Sequence, residues 1–268
     1  MILFPNAKIN IGLSVTGKRT DGYHNLETLF YPLTLCDILE FCVSADHLRF
    51  GSSGIACDED MENNLVMKAY RILQKDYKLP ALHIHLHKHI PIGSGLGGGS
   101  ADAAFMLRGL NSYFSLNISD EQLQDYAIQL GSDCPFFIKN RACFAYGRGE
   151  KLEDVAFSIE KYSLLLVCPS VHISTKEAYA GITPKVPQIP IHEIIGKPVN
   201  TWRHILKNDF EAPVFAQYPE IEKIKHTMYE LGALFSLMSG SGSSVYGIFE
   251  KLPADPKKYF PDMFVWYQ

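Results

Sequence analysis

The chain has 268 residues, 47% of them hydrophobic and 20% charged, with a net charge of -4. That length suits two domains, and the composition supplies a sizeable core and excludes a disordered chain. A mildly acidic protein with no long basic run lacks the electrostatic footprint of a nucleic-acid or anionic-membrane binder, so a compact small molecule is the expected ligand.

The opening Met1 to Lys8 is too short and charged too early for a signal peptide, and no stretch reaches the roughly 18 apolar residues of a membrane span. The cysteines (Cys36, Cys42, Cys57, Cys134, Cys143 and Cys168) include no C-x-x-C pair. Their scatter through apolar runs suits reduced, buried thiols and hence a cytoplasmic protein. Composition alone leaves monomer and homodimer equally open.

Ala7 to Val15 alternates Ile9, Ile11, Leu13 and Val15 with small or polar residues, which predicts a half-buried strand carrying Lys8 and Asn10 on its other face. Thr16 to His24 is turn-rich, and Asn25 to Val43 reads as further strand. Asn64 to Lys75 has helical spacing at Leu65, Ala69, Ile72 and Leu73. Next, Leu82, Ile84, Leu86 and Ile90 alternate with His83, His85, His87 and His89, predicting a strand with one wet face in an antiparallel setting. The histidine row is read as that solvated face. A small-residue helix is expected from Ala101 to about Tyr113. Another starts at Ser119, with a capping box to Gln122, and stops at Gly131, leaving Ser132 to Pro135 as a turn. Leu164 to Val167 is a buried strand, Thr183 to Pro198 breaks regular structure, Ile221 to Leu231 is helical, Ser239 to Ser244 is a loop and Val245 to Phe249 a strand. One boundary near Glu153 then divides the chain into 1–153 and 154–268, and the overall class is α+β.

Pro91-Ile-Gly-Ser-Gly-Leu-Gly-Gly-Gly-Ser100 is the most informative stretch. Backbone without side chains lets N–H groups converge on an anion, and the start of the following helix adds favourable potential, so a polyphosphate is the natural ligand. A Walker loop would need G-x-x-x-x-G-K-[ST], which neither Gly17-Lys18 nor Gly196-Lys197 completes. The Rossmann pattern is matched by Gly93, Gly95 and Gly98, but it requires a buried parallel strand before it. Protein kinases require H-R-D and D-F-G, and neither tripeptide occurs.

The P-x-x-x-G-L-G-G-G-S loop resembles the second motif of the GHMP kinases. The resemblance extends to Ala7 to Asn10, Arg19 to His24, Gly131 to Phe137, Gly147 to Glu150 and Ser239 to Ser243, in family order from about Asn6 to Phe249. The Asp-Gly-Tyr-His element combined with the Lys8 strand is similar to one branch of that superfamily, which phosphorylates the 2-hydroxyl of a cytidine-diphosphate-linked methylerythritol for isoprenoid biosynthesis.

The resemblance implies a two-domain fold with the active site in the interdomain cleft, ATP and Mg²⁺ as cofactors, and Lys8 with Asp133 as the catalytic pair. It places ATP on Asn64, Pro91, Gly93, Ser94, Gly95, Leu96, Gly97, Gly98, Gly99, Ser100 and Ala101, with Ser100 as a candidate Mg²⁺ ligand. It places the acceptor on Asn10, Tyr23, His24, Thr175, Tyr179, Gly240 and Ser241. Here Tyr23 offers a stacking face, His24 a hydrogen-bonding edge and Tyr179 a second aromatic that closes a sandwich around the cytosine. Ala101 stands where a second serine is common, and Ser132 and Cys134 replace small apolar residues, which puts a secondary hydroxyl contact in doubt.

Plainer readings stand beside these. Asn64 and Ser100 are also ordinary helix caps, an aspartate in a turn is often structural, and a lysine on a strand often faces water. Two rival functions remain at this point: a GHMP kinase for another alcohol such as homoserine or mevalonate, which would not need the Tyr23-His24 pair, and a non-catalytic nucleotide sensor, which would not need Lys8 and Asp133.

Overall fold

The computed structural model describes residues 1–56 and 62–268. The chain divides into two compact units that are discontinuous in sequence, so a single cut near Glu153 does not reproduce them. The first comprises Met1–Lys8, Pro32–Ile92 and Gly97–Arg141, and the second Ile9–Tyr31, Gly93–Leu96 and Ala142–Gln268.

In the first unit, strands β1 (Ile2–Leu3), β4 (Ile38–Val43), β5 (Arg49–Gly54) and β6 (Leu82–Lys88) form a sheet in the order β1-β4-β6-β5. Strand β6 runs antiparallel to β4, as its alternation predicts, but parallel to β5. Its odd-numbered histidines do form the wetter face: Ser44 hydrogen-bonds to His83, and Ser53 to both His85 and His87. Helices α1 (Leu65–Tyr77), α2 (Gly98–Tyr113), α3 (Asp120–Ala127) and α4 (Cys134–Lys139) complete the unit, with α2 packed against α1 and α4. Alanines at 101, 103 and 104 let α2 approach closely. At Gly109 an added Cβ would lie 2.5 Å from Leu3, so the helix is pressed onto the sheet.

Several boundaries differ from the sequence expectation for local reasons. Helix α2 begins at Gly98, because Gly97 takes the N-cap position, which puts Ser100 inside the first turn. Helix α3 ends at Ala127 and only turns continue to Leu130, while the Ser119–Gln122 capping box forms as expected. Cys134 and Pro135 open α4 instead of closing a turn, since a proline is tolerated where the helix has no hydrogen bond to lose. Asn25 to Val43 forms two strands, broken at the buried Asp37.

The second unit holds most of β2 (Asn6–Lys18) and β3 (His24–Cys36), with β7 (Cys143–Gly147) and β8 (Lys151–Asp154), in a sheet ordered β2-β3-β7-β8. Its other sheet has the order β10-β11-β9-β12, from β9 (Ser163–Cys168), β10 (Phe235–Met238), β11 (Val245–Phe249) and β12 (Phe264–Tyr267). Helices α5 (Thr175–Ala180), α6 (Ile191–Ile195), α7 (Glu211–Gln217) and α8 (Pro219–Glu230) accompany it. The core joins Leu13, Val15, Val167, Phe210, Ile221, Met238 and Val245. Helix α6 lies inside the proline-rich segment expected to be irregular: Pro190 precedes it and buried Ile191 and Ile194 anchor it.

Cys134, Cys143 and Cys168 are buried thiols, but Cys36 is half-buried and Cys42 exposed, so the expectation of buried thiols fails there. Cys57 lies outside the described residues. Burial pushes the Cys134 thiol up to about 12.

Candidate active site

In the first unit the residues expected to do chemistry meet. Lys8 Nζ lies 3.3 Å from Asp133 Oδ2, with the lysine side chain 4% exposed and the aspartate side chain 33% exposed. The far face of β2 is thus not solvated: Lys8 and Asn10 are as buried as Ile9 and Ile11. Asp133 sits at the N-cap of α4 yet makes no capping hydrogen bond with its side chain. Its carboxylate is therefore not consumed by the helix it precedes.

Lys8 also lies against the start of α2. A Cβ at Gly97 would stand 3.2 Å from Lys8 Cε and 3.0 Å from Phe137 Cζ, and Gly97 has φ +71, a conformation that L side chains rarely adopt. The next residues offer the amides of the first turn of a 16-residue helix, where the backbone N–H groups have no intrahelical partner and the dipole favours an anion. Gly99 is exposed, and a Cβ there would meet only Leu65 at 3.6 Å. Ser100 is half-buried in that first turn. Ala101 is fully buried and Pro91 half-buried. Asn64 is the N-cap of α1, its Oδ1 accepting from Val66 N at 2.9 Å, so the structural role weighed for it is the one observed.

In the second unit, Gly93 to Leu96 packs directly against the Ser239 to Ser244 loop. Ser239 donates to Gly95 O at 2.9 Å, and Ser244 N donates to Ser94 O at 3.1 Å. A Cβ on Gly95 would fall 2.1 Å from Ser239 O. The glycines expected to make room for a ligand therefore also make room for the protein's own backbone. Ser94 and Leu96 are buried. Gly240 is held by Asn208, which donates to Gly240 O at 2.7 Å and Met238 O at 2.8 Å, and Ser241 is half-buried beside it. Asn10 donates to Thr28 at 3.1 Å, its N–H donates to Ser239 Oγ at 3.2 Å, and its carbonyl accepts from Tyr246 at 3.0 Å.

The aromatic group is arranged differently from a sandwich of Tyr23 and Tyr179. His24 itself stacks on Tyr179, with ring centroids 4.8 Å apart and planes 18° from parallel, while Phe210 meets Tyr179 edge-on. Tyr23 stands 55% exposed with the Arg148 guanidinium 4.9 Å from its ring centre. The turn is built by Asp21, which pairs with Arg19 at 2.9 Å and accepts from Tyr23 N at 3.1 Å. Thr175 is exposed at the first position of α5, whose cap is Ser174.

Asn208, Thr28 and Tyr246 were not identified from the sequence, because nothing in their local pattern marks them, and Arg148 lies in the Gly147 to Glu150 motif without having been assigned a role. Lys88 did carry a signal. It continues the buried phase of Leu82, Ile84 and Leu86, and it is itself buried.

The chain is similar to known proteins over almost its whole length. Residues 64–141 match the GHMP kinases N terminal domain, and residues 192–258 match the GHMP kinases C terminal model. The chain is 52% identical over 268 residues to the 4-diphosphocytidyl-2-C-methyl-D-erythritol kinase of Parabacteroides distasonis, covering 99% of this chain and 98% of that protein. It is 54% identical to the enzyme of the same name from Azobacteroides pseudotrichonymphae, over 94% of each chain. A crystal structure of 4-(cytidine 5'-diphospho)-2C-methyl-D-erythritol kinase superposes with a TM-score of 0.82 at 30% identity, covering 99% of this chain and 98% of that one. Among the described residues no helix is long and apolar enough to cross a membrane. With its Lys8–Asp133 pair beside a glycine-capped helix start and sequence relatives of this closeness, the chain belongs to the GHMP kinases, ATP-dependent small-molecule kinases, in the 4-diphosphocytidyl-2-C-methyl-D-erythritol kinase family.

Proposed function

We propose that this protein transfers the γ-phosphoryl group of ATP to the 2-hydroxyl of 4-diphosphocytidyl-2-C-methyl-D-erythritol, in the cytoplasm, as a step of isoprenoid precursor synthesis. The observation that carries the reading is the Lys8–Asp133 pair at 3.3 Å with Lys8 packed under Gly97, because it sets a carboxylate and a buried cation beside an anion-binding helix start.

Phosphoryl transfer demands positioning and neutralisation of charge more than covalent help from the protein. The Gly98 and Gly99 amides bind phosphate oxygens. Asp133 accepts the hydrogen bond of the acceptor hydroxyl and receives its proton as the new P–O bond forms. Lys8 keeps that carboxylate oriented and adds positive charge where negative charge grows on the phosphoryl oxygens.

Mg²⁺ fits the oxygen donors present. The described residues hold no cluster of three His, Cys, Asp or Glu, and Mg²⁺ is commonly held by one or two protein oxygens together with substrate phosphates. Ser100, in the first turn of α2, is the residue that would hold it, and the ion, when bound, would neutralise phosphate charge.

On the acceptor side, Tyr23, His24 and Tyr179 recognise the cytosine, and Asn10, Thr175, Gly240 and Ser241 the diphosphate and polyol. An ADP-release assay with the cytidine-linked alcohol, homoserine, mevalonate and galactose should give turnover with the first alone. Turnover with another alcohol and none with the first would discard the reading, and no turnover with any would favour a nucleotide sensor.

His24→Ala should raise the KM for the cytidine substrate roughly tenfold, through loss of one hydrogen bond and one stacked ring. The KM for ATP should stay near the wild-type value. Equal rises for both substrates would make His24 a prop for Tyr179 and not a contact to the base.

A further inference from the structure

A buried charge cluster lies directly beneath the helix start that binds phosphate, and nothing in the mechanism above uses it. Lys88, the last residue of β6, donates to Asp37 Oδ2 and to Asp102 Oδ2, the latter at 2.7 Å. All three side chains are nearly inaccessible, at 4%, 0% and 3% exposure for Lys88, Asp37 and Asp102. The other oxygen of Asp37 accepts from His89 N at 2.6 Å and Ile90 N at 2.8 Å, the residues that lead into the glycine loop. Asp102 stands in the second turn of α2. The same ammonium lies 3.4 Å from where a Cβ on Gly98 would be, and Ile90 Cγ2 lies 3.0 Å from that point. One lysine thus ties the exit of β6, the loop's entry and the start of α2 together.

Stability alone is a poor reason for such a cluster. Buried ion pairs are often replaced by apolar groups without loss, and Asp102 Oδ1 is buried without a hydrogen-bond partner among the described residues. Burial would lower the Lys88 ammonium, but its two carboxyl neighbours outweigh it and raise it, so the lysine stays charged, while burial pushes the Asp102 carboxyl up to about 8 and leaves Asp37 as the firmer counter-charge.

We propose that Lys88, clamped by Asp37 and Asp102, is the positioning residue of the phosphate loop, holding the Gly98 and Gly99 amides in the arrangement that receives nucleotide phosphate. The proposal rests on the kinase reading for the identity of the nucleotide.

The test is calorimetric binding of ADP together with both KM values, in the wild type, in Lys88→Met and in Lys88→Met/Asp102→Leu. A misplaced binding element commonly costs one to two orders of magnitude, so the ADP Kd and the KM for ATP should rise about tenfold or more in both variants. The KM for the cytidine substrate should not move. The single variant leaves two carboxylates facing each other and should melt lower. The double variant should recover thermal stability, because Asp37 keeps its two backbone donors, yet it should not recover nucleotide affinity. Near-normal ADP affinity in either folded variant, or affinity that returns along with stability, would overturn the proposal and leave a structural contact. Should Lys88→Met fail to fold, the double variant decides. A wild type that binds ADP but phosphorylates no cytidine-linked alcohol would refute the acceptor assignment and leave this test intact.

Discussion

Asp133→Asn should lower kcat by about 10²–10⁴-fold while both substrates still bind near their wild-type KM values, the range typical of a positioned group acting on a proton in the transition state. The structure makes this a clean substitution. The Asp133 side chain does not cap α4, so the helix does not depend on its charge, and asparagine occupies the same volume. What disappears is the negative charge 3.3 Å from Lys8 Nζ. The buried cation then loses its opposite charge, which should also lower stability by roughly 1–3 kcal/mol, visible as a lower Tm in a protein that remains folded. Lys8→Met should likewise reduce kcat. Because the two side chains touch, the double variant should lose less than the sum of the single losses. Strictly additive losses would show that they act separately, and near-normal turnover of a folded Asp133→Asn enzyme would return Asp133 to a turn residue.

The second large effect is expected at Gly97. Gly97→Val should reduce ATP-dependent turnover by about 100-fold or more and destabilise the fold by several kcal/mol. Two costs combine: a left-handed backbone, about 1–2 kcal/mol for an L residue, and an overpacked contact, about 1–3 kcal/mol. The added carbon would stand 3.0 Å from Phe137 and 3.2 Å from Lys8, so relief of the clash displaces Lys8 as well as the helix start. A β-branched residue at Gly98 would press on Ile90 and Lys88 in the same way, so neither position leaves the fold untouched. Gly99→Ala is the matched control. Its methyl meets only Leu65 at an ordinary 3.6 Å, so melting should be unchanged while the KM for ATP rises modestly as phosphate approach is hindered. Wild-type kinetics in Gly97→Val would remove this helix start from the nucleotide site.

Local chemistry was legible in the sequence wherever a run of neighbours sets the outcome. The glycine run favours a close-approach backbone over a flexible linker, the Ser119–Gln122 box fixes a helix start, and the period of two in β6 separates its apolar phase from its histidines. These features, with their order along the chain, were enough for the α+β class and the kinase resemblance. The tertiary structure decided which polar residues are buried and what they face. Lys8 reads as a solvated strand residue until Phe137, Gly97 and Asp133 cover it, and Lys88 reads as the end of a strand until Asp37 and Asp102, 51 and 14 residues away, close around its ammonium. Asn208 has no motif, yet it holds Met238 and Gly240, and His24 takes the face of Tyr179 from 155 residues away. The physical reason is common to all of them. Burying a charge or an amide is tolerable only when its partner arrives, and those partners come from distant segments that no local periodicity can report.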